Sequence, residues 1–265
     1  MPLGAPSDPQ GRPVLSLEPV PNNHYLDTSV HWKIRSGNAS FSEPRYGEIA
    51  DAILECGLAT QVLRKIGSGK EADVFACADG PMAVAVKVYR LYRTSHRGGG
   101  SVKQESMGHQ AAHELEMLTT GWRGGTRVPE PGRRIENMFS MEFVGTEGEP
   151  APRMSDVEPH DPEQFRTRVL EQVRRLAESG VVHTDLSPFN VLYHHREPWI
   201  IDLGQAIHVD RLGMPPWVRL RKAEDALGRA LRTFDRYFRR WGIRVAVDEE
   251  LASILAGLDR SGVLS

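Results

Sequence analysis

The sequence predicts an α+β domain in two lobes, a small antiparallel-sheet lobe followed by a reduced, mostly helical one. Three observations lead there. Val62–Ile66, Ala72–Cys77 and Met82–Tyr89 are short apolar runs separated by a Gly67–Lys70 turn and an Asp79–Pro81 turn, the pattern of consecutive antiparallel strands. Pro162–Ser179 and Lys222–Trp241 then carry apolar residues at three- and four-residue spacing. Between the two regions, Gly145–Pro152 holds enough Gly and Pro to serve as a connector.

Taken in order, residues 1–42 are rich in Pro, Gly, Asn and Ser and read as a flexible leader. The sheet lobe occupies 43–145 and the helical lobe 146–265. Within the first, Gly47–Gly57 spaces Ile49, Ala52, Ile53 and Cys56 as a short amphipathic helix. A mobile loop over 93–110, with three consecutive glycines, precedes a helix around Ala111–Thr120. Arg127–Pro131 breaks the chain, and Ile135–Val144 offers two short strand-like runs. In the second lobe, Phe165, Val169, Val173, Leu176 and Ala177 line one helical face that stops at Gly180, and Trp199–Leu203 reads as a strand. Ala226, Leu227, Ala230, Leu231, Phe234 and Phe238 form the buried stripe of the last helix.

Composition narrows the setting without naming a partner. Apolar residues make up 40% and charged residues 26%, with a net charge of −2, so strong nonspecific nucleic-acid binding would need a local basic face. Cys56 and Cys77 match no metal-ligand spacing, so neither a disulfide framework nor a structural zinc is expected, and the compartment should be reducing. With no secretory signal and no run of about 18 apolar residues, a cytoplasmic location away from membranes is expected. Arg outnumbers Lys 27 to 6, which makes each placed lysine noticeable.

The chemistry concentrates in two stretches. His183–Asn190, reading HTDLSPFN, is followed by the strand-borne Asp202. Phosphoryl transfer needs oxygen ligands for magnesium and a carboxylate near the acceptor hydroxyl, and Asp185, Asn190 and Asp202 supply that set. Each also has a plainer reading: Asp185 as a turn residue, Asn190 as a cap, Asp202 as a strand-end carboxylate. The second stretch is Ile66–Phe75. Its small residues let backbone amides approach phosphate, with Ser68, Gly69 and Lys70 at the turn. The order of residues is not that of a Walker loop, and a strand rather than a helix follows. Lys87 lies in the apolar run Ala83–Tyr89, where an inward ammonium needs an anion or a carboxylate. Glu114 on the next helix is the candidate partner, with Glu116 as its rival and solvent exposure of both side chains as the bland alternative.

Across roughly residues 47 to 245 these segments resemble the RIO family of atypical protein kinases. GSGKEADVF resembles its phosphate-binding loop, VKVYRLYRTSHR its lysine strand and flexible loop, and MEFVG its hinge. HTDLSPFN and IIDLGQAI resemble its catalytic and metal-binding loops, and RKAEDALGRALRTFDRYFRRWGI its C-terminal helix. The resemblance implies a bilobal protein-kinase-like fold using ATP and Mg2+, with Mn2+ as a substitute. It implies Asp185 as catalytic base, Asn190 and Asp202 as metal ligands, and ATP contacts from Ser68, Gly69, Lys70, Lys87 and the hinge residues Met141, Glu142 and Val144. Glu114 would hold Lys87 toward the phosphates. Gln205 after the metal-binding Asp is typical of the family, whereas Gly204 stands where Ser is common. Only 63 residues follow Asp202, so the peptide-docking helices of conventional protein kinases are expected to be largely missing.

The function implied is serine/threonine phosphorylation of the chain itself, with Thr94 and Ser95 as candidate acceptors, or of an unidentified protein substrate. An alternative is an ATPase switch that works through an aspartyl-phosphate at Asp202 and acts on a ribosomal particle. A third is a small-molecule phosphotransferase, since antibiotic and choline kinases share the Asp-x-x-x-x-Asn loop.

Overall fold

The computed structural model describes residues 46–69, 71–89, 104–146, 148–209 and 215–260. The leader, Lys70, Thr94 and Ser95 lie outside them. Helix α1 (Tyr46–Glu55) leads into strands β1 (Gln61–Ser68), β2 (Ala72–Asp79) and β3 (Met82–Tyr89). Helix α2 (Gln104–Arg123) follows, then β4 (Pro131–Ile135) and β5 (Met138–Glu142). The five strands form one antiparallel sheet in the order β1-β2-β3-β5-β4.

Alternation along the central strands assigns the sheet's two faces. Val84, Val86 and Val88 of β3, with Phe75 and Cys77 of β2, pack toward Ile53 of α1 and Leu58. The intervening residues Ala85, Lys87 and Tyr89 point to the opposite face. There Ala76, Ala85 and Phe143 form a small apolar cluster, against which the half-buried Ile66, Val74 and Met141 pack. Pro131 opens β4 on the sheet edge, where its missing N–H costs no central ladder bond, and the register shifts between Pro131 and Arg134.

Helix α2 begins at Gln104, well inside the expected 93–110 loop. Met107 and Ala111 are fully buried, about three and two turns before Leu118, and this apolar spacing draws the helix start back past the glycine at 108. The rest of that loop is outside the described residues.

Two minimal strands, β6 (Gly145–Thr146) and β7 (Glu149–Pro150), form a small hairpin after the sheet. Helix α3 (Pro162–Glu178) begins where the Asp161 side chain accepts from the Gln164 N–H at 2.9 Å, with Pro162 in its first turn. Its face of Phe165, Val169, Val173, Leu176 and Ala177 is buried as expected, with Gln172 buried beside it. Four short strands follow: β8 (Val181–Val182), β9 (Val191–His194), β10 (Glu197–Ile200) and β11 (Ile207–His208). Strand β10 ends at Ile200, short of the expected Leu203, because Asp202 takes a left-handed conformation (φ 64°, ψ 61°) that no extended strand accommodates.

Helix α4 (Pro216–Phe238) buries all six residues of the expected stripe and starts earlier than Lys222. A short 3-10 turn (Arg239–Trp241) closes at Gly242, whose φ of 72° suits a residue without Cβ. Helix α5 (Val247–Arg260) has no counterpart in the sequence reading. Its Leu251, Ile254, Leu255 and Leu258 spacing is the signal for it, and Ile254 and Leu258 are fully buried. Among the described residues, no helix is long and apolar enough to cross a membrane.

Asp235 joins the last two helices. Its buried carboxylate accepts from the Val245 N–H at 3.0 Å, from Arg239 at 2.5 and 2.9 Å and from Arg244 at 3.1 Å. The Val245 amide bond and the two guanidiniums hold its carboxyl below the usual range. A carboxylate with a depressed native pKa stabilises the fold above its unfolded pKa of about 4, and that contribution is lost as pH falls through the native value. Asp235→Ala should cost about 2–3 kcal/mol at pH 7, because it orphans a buried N–H. In urea denaturation the gap between variant and parent should begin to narrow as pH falls below about 4 and should narrow further through the lower native value.

Candidate active site

Topology alone brings the two polar loops together. The loop His183–Asn190 leaves β8 and enters β9, while Ile201–Ala206 leaves β10 and enters β11. Because β9 pairs with β10 and β8 pairs with β11, the two loops must lie side by side. The Ile201 N–H donates to the Asn190 carbonyl at 3.0 Å and seals the inner end of this nested arrangement. The hairpin turn His195–Arg196 has positive φ at both positions, as a two-residue primed turn requires.

His183 organises the first loop from within. It is 3% exposed. Its Nε2 faces the Ile201 carbonyl at 3.1 Å, and its Nδ1 accepts from the Asp185 N–H at 3.2 Å. An acceptor on one side and a donor on the other select the neutral Nε2–H tautomer, and burial lowers the imidazole pKa in the same sense. Asn190 Nδ2 donates to the Asp185 carbonyl at 2.8 Å, which orients the amide and leaves its oxygen for another partner. The Asp185 side chain stands exposed at the loop's tip.

Lys87 enters from the sheet. Its Nζ lies 2.7 Å from Glu114 Oε1 and 2.7 Å from Asp202 Oδ1. Burial alone would lower the ammonium's pKa, but the two carboxylates outweigh it and raise the value above that of an ordinary lysine. For Asp202, desolvation pushes upward, yet the adjoining ammonium holds the carboxyl below its ordinary value. The Asp202 side chain remains 57% exposed, against 4% for Glu114, so only the former reaches solvent. Tyr89, two residues beyond Lys87 on the same face, donates its hydroxyl to Glu114 Oε2. Glu114 is thereby held through both oxygens. Glu116, its rival in the sequence, is exposed.

The glycine-bearing turn joins β1 to β2. Ser68 is exposed at the end of β1, and the Gly69 N–H closes the turn on the Ala72 carbonyl at 2.9 Å, so this amide is already committed. Of the hinge candidates, Met141 lies against the apolar cluster beneath the sheet. The Glu142 N–H donates to the Glu130 carbonyl at 2.9 Å and cannot also serve a base, while the Val144 carbonyl accepts from Ala151 at 2.9 Å and retains one lone pair.

Lys87, Glu114 and Asp202 are therefore brought into direct contact, and Asp185 and Asn190 adjoin them through the paired loops. Sequence reasoning left out Tyr89, His183 and Thr184. Tyr89 could have been found from its i+2 spacing to Lys87. The bond from Thr184 Oγ to the Gln205 carbonyl, at 2.7 Å, has no local signal.

The donor set suits a hard divalent cation. Asp185, Asn190 and Asp202 offer only oxygens, and one Asp202 oxygen is committed to Lys87. Among the described residues, no three His, Cys, Asp or Glu side chains converge as a metal-binding group. Two carboxylates and an amide fit Mg2+ that completes its shell from phosphate oxygens and water.

The sequence model of the RIO domain matches residues 73–251. The chain belongs to the RIO family. It is 36% identical over 191 residues to the RIO-type serine/threonine-protein kinase Rio1 of Haloferax volcanii, covering 67% of this chain and 63% of that one. With the Rio1 protein of Methanocaldococcus jannaschii the identity is 30% over 161 residues, covering 56% of each. The chain thus spans less than two thirds of these relatives' length. Among solved structures, the Rio2 kinase of Chaetomium thermophilum superposes with a TM-score of 0.61 at 21% identity, covering 91% of this chain and 86% of that one. A second structure of it, an ADP/Mg2+-phosphoaspartate complex, gives 0.60 at 21%, covering 88% and 79%. These likenesses establish the bilobal RIO kinase fold, with its antiparallel sheet and helical C-terminal part.

Lys87→Met should destabilise the protein by about 3 kcal/mol, because Glu114 is left buried without its cation. Adding Glu114→Gln should recover a large part of that loss, since no buried charge then remains. Urea denaturation of the two variants checks both.

Proposed function

We propose that this RIO chain is an ATP-dependent serine/threonine protein kinase that transfers the γ-phosphoryl group of ATP to a hydroxyl of itself or of another protein. The observation that carries this reading is the ion-paired set Lys87–Glu114–Asp202, which ties the sheet, helix α2 and the second polar loop at one point. Glu114 alone would serve to hold a buried structural lysine, and the second, solvent-reaching carboxylate of Asp202 is what suits the pair to a ligand. A phosphate-binding lysine needs one partner to hold it and an open side toward the ligand.

The half-buried Ile66, Val74 and Met141, around Ala85, would cover the flat base, and the Ser68–Gly69 turn would lie over the phosphates. Lys87 would neutralise phosphate charge, and Glu114 would keep it extended. Asp185, exposed at the loop tip and braced by His183 through its own N–H, would accept the proton of the acceptor hydroxyl as the new O–P bond forms and ADP departs. Asn190 and Asp202 would hold Mg2+, or Mn2+ in its place. The cation would supply charge neutralisation at the phosphate oxygens. In this reading the division near residue 145 separates the nucleotide-covering sheet from the loops that carry the chemistry. The free thiols of Cys56 and Cys77 suit a cytoplasmic setting.

A second reading has one specific support. The similar Rio2 structure is an ADP/Mg2+-phosphoaspartate complex, and Asp202 exposes its carboxylate to solvent. In that case Asp202 attacks the γ-phosphorus, ADP leaves, and water later hydrolyses the acyl phosphate. Such an ATPase cycle would switch binding to a partner, for which a ribosomal particle is the family-level candidate.

Radiolabelled ATP with Mg2+ separates these readings. Kinase action predicts acid-stable label on Ser or Thr, reduced roughly 1,000-fold in Asp185→Asn. Hydroxylamine-sensitive label on Asp202 would favour the ATPase cycle. Undiminished acid-stable labelling in Asp185→Asn would refute the assignment of the base.

A further inference from the structure

Gln205 follows Asp202 by three residues and has no part in the mechanism above, yet it is held from two sides. Its side-chain Nε2 donates to both carboxylate oxygens of Glu71, at 3.2 and 3.4 Å, across 134 residues of sequence. Its main-chain carbonyl accepts from Thr184 Oγ at 2.7 Å, one residue before Asp185. The next residue is also fixed, because His113 Nε2 on α2 donates to the Ala206 carbonyl at 2.8 Å. Gln205 therefore sits where three segments meet: the turn between β1 and β2, the loop bearing Asp185 and the segment bearing Asp202.

Two physical consequences follow from this placement. Glu71 adjoins the turn that would cover the phosphates, and a free carboxylate there repels a nucleotide polyanion. Engaging both of its oxygens with an amide turns that charge toward Gln205. The same bond tethers the turn, whose Ser68 and Gly69 are exposed, to a segment already pinned by Lys87, Thr184 and His113. The tether thus couples an exposed element to a fixed one, which lowers the ordering cost of closing over a ligand.

We propose that Gln205 is a positioning residue of the nucleotide site, which clasps Glu71 and holds the phosphate-facing turn over Asp202. This rests on the reading of the cleft as an ATP site. Its effect falls on nucleotide affinity, since neither side chain touches the reacting atoms.

An amide–carboxylate exchange tests it. Q205E sets two carboxylates against each other and should weaken binding of a fluorescent ATP analogue about tenfold. It should raise KM for ATP in parallel and leave kcat within about twofold. E71Q combined with Q205E restores a donor facing an acceptor and should return affinity to within about twofold of the parent. Additive losses in the double variant, or a fall in kcat at unchanged KM, would overturn the proposal. A separate arm needs no nucleotide: hydrogen exchange across the β1–β2 turn should quicken in Q205A, and unchanged exchange there also overturns it. If the exchange and the rescue behave as expected while no phosphate is transferred, the clasp stands and the kinase reading falls.

Discussion

The site depends on a buried ammonium that must be neutralised where it sits. Lys87 is 7% exposed on a strand whose other residues are all apolar or aromatic. Removing its charge from water without compensation would cost several kcal/mol. Glu114 and Asp202 supply two negative charges for one positive, so with Asp185 nearby the cleft carries a formal surplus of negative charge before any ligand enters. That surplus is tolerable because Asp202 and Asp185 reach solvent, whereas Glu114, which does not, is bonded through both oxygens to Lys87 and Tyr89. An excess of exposed carboxylate beside a fixed cation is an environment suited to a divalent ion accompanied by phosphate.

Around that point the fold is arranged to remove freedom from the polar loops. The pairing of β8 with β11 outside β9 with β10 makes the two loops neighbours by construction, so their spacing does not depend on side-chain packing alone. His183 adds a bond to each loop from the interior. The left-handed backbone at Asp202, which costs about 1 kcal/mol for a residue with a Cβ, is held on one side by Lys87 and on the other by the bonds at Gln205 and Ala206. The glycine-rich turn has less of this support. Rigidity is concentrated at the loops that carry Asp185 and Asp202.

Much of this was legible in the residue order. Met82–Tyr89 is apolar on both faces, so the residue order left Lys87 open to either side, but strand alternation alone would have put Tyr89 on whichever face Lys87 takes. The α3 and α4 stripes were readable because each keeps one apolar face over several turns. Glu114 could be distinguished from Glu116 only after α2 was known to run from Gln104, which places Met107, Ala111, Glu114 and Leu118 on one side. Contacts such as Glu71 with Gln205 or Thr184 with the Gln205 carbonyl were not legible, because they are set by the docking of distant segments and leave no local periodicity. The end of β10 escaped for a related reason. Ile200 and Ile201 continue an apolar run, and the reversal at Asp202 comes from its tertiary partners.

The left-handed conformation of Asp202 also limits what can stand at that position. Among residues with a Cβ, asparagine and aspartate enter this region most readily, so amide replacement removes the charge while preserving the backbone. Alanine removes both the charge and the local preference that shapes the loop. The apparent chemical importance of this carboxylate will therefore differ with the residue chosen to replace it, and the difference measures how much of its role is to bend the chain.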